Sequence, residues 1–310
     1  MIKVGNRRVY SRPDFSFSPQ ELPQRTEPLK VLMSSPEYFD IIDVKNAHMD
    51  GQKGRLNREL ALIQWVNLKH IYQNLLKEKI IKGVDQVNGQ KGCEDMVFTA
   101  NQSFPWLTEN GEKVVVMSKM RHISRQKEVP FFRTFYEEAG YKILDLQKAE
   151  MFEGMGDTIP HPGRRLLWGG YGHRSSPAAY EEISEMLNVD IITLELKNDL
   201  FYHLDTCFVP LDEDTVMITP LAFTKEGLEC ISKMFKNVIE VPAHEAVNGF
   251  ALNAHVMINK ENNSKVAVIQ EGNPNTSAIL KANGYKVFET NTSEYMKSGG
   301  SVFCMKMMYY

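Results

Sequence analysis

The sequence offers no run of the roughly 18 to 20 uninterrupted apolar residues that a membrane-spanning helix needs, so a membrane partner is not expected. It has no basic tract either: 36 Lys and Arg stand against 39 Asp and Glu, a net charge of −3. Nucleic acids and anionic surfaces attract clustered positive charge, and neither is an expected partner. Cysteine is scarce, with four in 310 residues: Cys93, Cys207, Cys230 and Cys304. None pair as Cys-x-x-Cys, so neither a disulfide framework nor a zinc site is indicated, and no metal or cofactor is expected. The opening Met-Ile-Lys-Val-Gly-Asn-Arg-Arg lacks the apolar segment of a secretory signal. The expected location is cytoplasmic, with reduced thiols. No Gly-x-Gly-x-x-Gly follows the first strand-like segment, which weakens the rival reading of a Rossmann sheet.

What the chain does have is a repeat. Two strand-like segments, an amphipathic helix and a return strand recur with a period of roughly 50 residues, the size of one ββαβ module. One unit runs through Met96-Val-Phe-Thr, Val114-Val-Val-Met, a helix over 131–139 and Tyr141-Lys-Ile-Leu. The next takes Met151-Phe-Glu, Arg165-Leu-Leu-Trp, a helix over 177–187 and a strand over 190–196. A third takes 205–211, 215–218, a helix over 225–235 and 238–241; a fourth takes 254–258, 265–269, a helix over 275–282 and 285–288. The last unit closes with a strand over 302–307 and borrows its helix from 56–79. The expected fold is α/β: five ββαβ modules around one axis, a closed propeller, forming a single catalytic domain over residues 30–310. Residues 1–29, with Pro13, Pro19, Pro23 and Pro28, read as an irregular N-terminal arm.

Such a propeller turns the first strand of every module toward the axis. The polar residues on those strands are Asn101, Glu153 and Asp157 around Gly-Met-Gly, His203 and Asp205 around Leu204, and Cys304 after Gly-Gly-Ser-Val-Phe. A strand would put both side chains of His203-x-Asp205 on one face. A histidine and an anion there suit proton transfer beside a cationic substrate. Two carboxylates at Glu153 and Asp157 suit a guanidinium, which takes bidentate carboxylate bonds; a turn with two solvated acids is the plainer alternative. Cys304 reads either as an inert buried thiol or as a nucleophile made thiolate by a nearby cation. Gly169-Gly-Tyr-Gly-His-Arg174 ends a glycine-rich turn with an arginine, and Arg121 and Arg125 lie in the matching loop of the preceding unit. These suit an anion or are ordinary surface charge.

Five strings, in order, resemble the guanidine-modifying superfamily of arginine deiminases, arginine dihydrolases, dimethylarginine dimethylaminohydrolases and amidinotransferases. They are Asp95-Met-Val-Phe-Thr-Ala-Asn101, Phe152-Glu-Gly-Met-Gly-Asp157, Gly170-Tyr-Gly-His-Arg174-Ser, His203-Leu-Asp-Thr-Cys-Phe208 and Gly299-Gly-Ser-Val-Phe-Cys304-Met. The resemblance implies a five-module α/β propeller, in agreement with the repeat. It implies Cys304 as nucleophile, His203 as general acid and base, and Glu153 and Asp205 as the carboxylates that grip the guanidinium. It also implies Arg174, with Arg121 or Arg125, as the binders of the amino-acid carboxylate.

Asn101 stands where deiminases usually carry Asp, and Phe-Thr-Ala-Asn is similar to the dihydrolase branch. Pro36-Glu-Tyr-Phe-Asp-Ile and Asn46-Ala-His-Met point the same way, while Lys45 and Ser176 depart from it. The expected activity is hydrolysis of arginine to ornithine, ammonia and carbon dioxide. The alternatives are a deiminase that stops at citrulline, an amidinotransferase, and a non-catalytic arginine-binding protein. The expected partner is a small guanidino substrate, and a homo-oligomer is left open.

Overall fold

The Val-Val-Val run at 114–116 is apolar on both faces, and a strand of that kind needs cover on both sides. In the computed structural model, which describes residues 8–310, these valines are at most 2% exposed. They form the middle of the strand Lys113–Met117, which pairs antiparallel with Ser103–Leu107 and parallel with Lys142–Asp145. The helix Val129–Glu138 carries the chain between the two parallel strands.

The same order recurs four more times. Thr158–Pro160, Leu166–Tyr171 and Asp190–Glu195 form one set, with the helix Pro177–Leu187 before its last strand. Phe208–Pro210, Thr215–Ile218 and Asn237–Glu240 form another around the helix Lys225–Met234. His255–Asn259, Ser264–Gln270 and Lys286–Thr290 follow around Pro274–Ala282. The fifth sheet joins distant ends of the chain. Met307–Tyr309 lies antiparallel to Lys30–Ser34, which runs parallel to Gly83–Val87, with the helix Arg58–Lys77 between them. The described residues thus form a mixed α/β fold of five sheets. None of their helices is long and apolar enough to cross a membrane.

Each helix is held by an apolar stripe. Lys225–Met234 buries Gly227, Cys230, Ile231 and Met234, the spacing of one helical face. Its N-terminus is closed by the Thr224 hydroxyl, which accepts from the Gly227 N–H. Neighbouring units share core: Trp168 of one sheet packs against Phe208 and Phe235 of the next, with ring centroids 5.1 and 5.4 Å apart.

Three expected first strands are displaced along the chain, and a fourth is shortened. Residues 96–99, 151–153 and 302–304 are not strands, and the ladders begin at Ser103, Thr158 and Met307; the strand expected over 205–211 is confined to Phe208–Pro210. His203-x-Asp205 therefore does not share a strand face. His203 is extended, and Leu204–Thr206 is a 3-10 turn. The physical reason is local competition: polar side chains here bond to nearby backbone, which draws the chain out of a ladder. Thr206 Oγ1 donates to the His203 carbonyl at 2.7 Å, and Thr99 Oγ1 to that of Val97 at 3.2 Å.

The segment before residue 30 is more than a loose tether. Residues 1–7 lie outside the described residues. Val9–Tyr10 runs parallel to Asp190–Glu195 as a fourth strand of that sheet. Phe15 is buried against the rings of Tyr10 and Phe17, 5.7 and 5.1 Å away, with the Lys233 ammonium over its face. Truncating a buried aromatic costs about 3 to 5 kcal/mol. Phe15→Ala is therefore expected to lower the melting temperature in calorimetry by roughly 6 °C or more; an unchanged melting temperature would show that this segment adds nothing to stability.

Candidate active site

Each displaced ladder leaves a turn just before its first strand, and these turns carry the site. Asn101 precedes Ser103–Leu107, Glu153 to Asp157 precede Thr158–Pro160, His203 and Asp205 precede Phe208–Pro210, and Cys304 precedes Met307–Tyr309. All six side chains are at most 2% exposed. Glu153 leads into the short helix Gly154–Asp157. Gly154 adopts a φ of +56°, and any Cβ there would strike the Ser103 carbonyl; one on Gly156 would strike the Asn101 amide. Only glycine lets the two turns close on each other.

Glu153 is the hub. Its carboxylate accepts from His203 Nε2 at 2.8 Å, Arg174 Nη1 at 3.1 Å and the Arg121 backbone N–H at 3.0 Å. Burial alone would raise its pKa, but Arg174, His203 and Arg125 outweigh that and hold it well below the usual carboxylate range. Burial also lowers His203, to about 4, against the opposing pull of Glu153. The ring is neutral at pH 7. Its Nε2 proton points at Glu153, which leaves Nδ1 as an acceptor 3.5 Å from Asn101 Nδ2. Asn101 Oδ1 in turn accepts from Arg125 Nη1 at 3.0 Å.

The thiol sits between two polar partners. Cys304 Sγ donates to Asp205 Oδ2 at 3.2 Å and receives Asn253 Nδ2 at 3.1 Å. Neither partner is a cation, so the expected thiolate is absent at rest: burial and the Asp205 charge push the thiol well above its ordinary value. Burial raises Asp205 to about 7. Asp157 is raised further, chiefly by burial, while it accepts from Ser175 Oγ at 2.6 Å and from the Leu204 N–H at 3.1 Å. It holds the turn of the histidine and does not line the pocket.

A small pocket, about 10 Å³ in volume, is lined by Asn46, Asn101, Arg125, Arg174, Tyr202 and Cys304, with Lys45 and Asp95 beside them. Of the two candidate arginines of the preceding loop, the structure brings in Arg125, which is buried and paired with Glu128 at 3.1 Å. The Arg121 side chain is exposed, its Nη1 on the His173 carbonyl at 2.5 Å. Arg174 Nη2 donates to the Lys45 carbonyl at 2.8 Å, and its guanidinium stacks 4.8 Å from the Tyr202 ring. Asn46 Nδ2 holds the Ser298 carbonyl at 3.0 Å.

Sequence reasoning missed Asn253. Its Oδ1 accepts from the N–H groups of Ser301 and Cys304 at 3.0 and 3.2 Å, so it shapes the turn that carries the sulfur. The signal was present: Asn253 precedes the strand His255–Asn259 as Asn101 precedes its own. Lys45, a departure from the dihydrolase pattern in the sequence, also reaches the site. Its Nζ lies 3.0 Å from Asp95 Oδ2 at the pocket wall.

With its pKa near 4, His203 is expected to keep one ring proton, on Nε2, from pH 8 down to pH 5. Nitrogen-15 NMR of the imidazoles tests this, and a titration of this ring centred near 6.5 would contradict it.

Comparison with known proteins places the chain in a family. Residues 36–309 match the family described as N,N dimethylarginine dimethylhydrolase, eukaryotic. The bifunctional arginine dihydrolase/ornithine cyclodeaminase AgrE of Nostoc is 34% identical over 91% of this chain, but the match spans only 38% of AgrE. The N(G),N(G)-dimethylarginine dimethylaminohydrolase of Mycobacterium tuberculosis is 30% identical over 93% of this chain and 87% of its own length. Among solved structures, the product-bound N-terminal domain of ArgZ, an arginine dihydrolase from the ornithine–ammonia cycle in cyanobacteria, superimposes with a TM-score of 0.81. It is 32% identical and covers 91% of this chain and 97% of that domain. This chain belongs to the N,N dimethylarginine dimethylhydrolase family, and with it to the guanidine-modifying superfamily.

Proposed function

We propose that the protein hydrolyses the guanidinium group of L-arginine through a Cys304-bound intermediate, as an arginine dihydrolase giving ornithine, ammonia and carbon dioxide. The observation that carries this reading is Cys304 itself, which lines a pocket with Asn101, Arg125 and Arg174 while its sulfur lies 3.2 Å from Asp205 Oδ2. We further propose that the five sheets surround one axis as a propeller with the site turns at its centre, which the common strand order of the units supports. In this reading residues 30–310 form the catalytic domain, 1–29 its arm, and the enzyme works in the cytoplasm without a cofactor. A homo-oligomer is compatible with it.

The steps follow from the groups. A pocket of about 10 Å³ has room for about one water, so arginine enters when the wall at Lys45, Asn46 and Met49 moves. The guanidinium then lies against Asp205 and the sulfur. Its positive charge lowers the thiol's pKa, and the thiol proton passes to His203 Nδ1, the unprotonated ring nitrogen. Glu153 stabilises the imidazolium that forms. Sulfur attacks the central carbon, His203 gives the proton to the departing nitrogen, and ammonia leaves an amidino-thioether. Water, deprotonated by His203, attacks that carbon; the carbon–sulfur bond breaks and a ureido group remains. A second attack releases a second ammonia, and hydrolysis frees a carbamate that decomposes to ornithine and carbon dioxide. Two waters are consumed. Arg174 and Arg125 offer charge to the substrate's carboxylate, and the amide of Asn101 can donate to a neutral ureido oxygen, which a carboxylate cannot.

Incubation with arginine, followed by assay of ammonia, citrulline and ornithine, tests the reading. Ornithine with two ammonia per turnover is expected; citrulline alone indicates a deiminase, and no product an arginine-binding protein. The family match makes dimethylarginine the comparison substrate. Cys304→Ser is expected to abolish turnover, since a serine hydroxyl lacks the thiol's accessible anion; retained activity would remove Cys304 from the mechanism.

Asn101→Asp is expected to shift products toward citrulline. The variant can still accept from Arg125, yet it loses the donor that would hold a neutral ureido group. The quantity to measure is the product ratio at fixed conversion. A ratio equal to that of the wild type would show that Asn101 does not direct the second hydrolysis.

A further inference from the structure

Lys306 lies two residues beyond Cys304 and is fully buried. Its ammonium has no hydrogen-bond partner among the described residues; it stands over the Phe303 ring, 3.2 Å from the centroid. An unpaired ammonium away from water is costly, and the turn that carries the nucleophile keeps one. Asp205 shows the complementary fault. One carboxylate oxygen holds the sulfur, and the other, Oδ1, has no partner.

Both orphans lie at the turn that carries Cys304, Asp205 through its bond to the sulfur and Lys306 two residues further along the chain. Cys304 lines the small pocket. Phe303 and Lys306 instead line a separate cavity of about 210 Å³ that reaches the exposed Lys260. We propose that Lys306 is a positioning residue of the thiol site: from the cavity side its ammonium is the counter-charge that keeps Asp205 ionised before a cationic substrate arrives.

The surrounding charges leave that role open to Lys306. On the pocket side Asp205 faces Cys304, and Arg125 acts on it from further off while already bound to Glu128 and Asn101. On the cavity side His255 is held neutral by burial and by Lys306 itself, and shares a 3.0 Å hydrogen bond with Tyr72. Arg25 is committed to Glu27, and Glu213 to Arg164 at 2.8 Å; Lys260 and Asp212 stand toward the mouth. Burial brings Lys306 down to about 7 and Asp205 up to about 7, each opposed by the other's charge. The charge of each therefore bears on the protonation of the other.

The inference rests on the arginine reading above, and its test separates the two. Arginine binding to Cys304→Ser is measured by calorimetry from pH 6 to pH 9, with and without Lys306→Met. Loss of an opposite charge shifts a carboxylate by about one unit or more. The pH below which arginine is released is expected to rise by that amount, with binding about tenfold weaker at pH 7 and recovered by pH 9. In an Asp205→Asn background, Lys306→Met should add no pH-dependent change. An unmoved midpoint, or an equal loss at every pH, overturns the proposal. Absence of arginine binding with Lys306 intact overturns the substrate reading instead. Lys306 is then judged by the pH profile of Cys304 alkylation by iodoacetamide, on which Lys306→Met must act differently in the Asp205→Asn background than with Asp205 present; an identical effect in both overturns the proposal. Lys306→Gln serves if the methionine variant fails to fold.

Discussion

A carboxylate with no access to water governs this site. Glu153 is fully buried, and a buried charge persists only where it is compensated by opposite charge and hydrogen bonds. Three elements converge to supply them: the Gly170-to-Arg174 turn, the Arg121 backbone and the imidazole of His203. That demand fixes the tautomer of His203. It also anchors Arg174, whose other nitrogen reaches back to the pocket wall at Lys45.

The three acids meet this constraint in different ways. Glu153 has cationic partners and stays charged. Asp157 has a hydroxyl and a backbone amide, and burial drives it toward the neutral form. Asp205 has a thiol in hydrogen-bond reach and no cation there, and burial raises it to about 7. Similar burial thus produces an orienting anion, a structural hydrogen-bond partner and a titratable group, according to what stands within reach.

Much of this was legible in the residues. The helices over 177–187 and 225–235 were readable because apolar residues at helical spacing leave few alternatives. The partnership of the C-terminal strand with the early helix followed from counting an incomplete unit. The starts of the first strands were not readable. Residues such as Val97 and Phe98 are as apolar as a strand, and the turn they form is held by local bonds such as Thr99 Oγ1 to the Val97 carbonyl together with remote ones such as Ala100 N–H to the Cys304 carbonyl. Asn253 escaped notice for a related reason: an asparagine between Leu252 and Ala254 carries no motif, and its importance appears only when the fourth unit is laid against the others. Lys306 could not be assigned because its lack of partners is a property of the packing.

The sheet that joins Met307–Tyr309 to Lys30–Ser34 pairs segments separated by nearly the whole length of the chain. Contacts of such high sequence separation form late, since the loop they close must be ordered first. A nascent chain can assemble four of its sheets while the residues around Cys304 are still being added. The thiol therefore enters its pocket only as the last sheet is completed. Assembly and completion of the site become one event, and a partly folded chain holds the buried carboxylates without the sulfur that stands beside them.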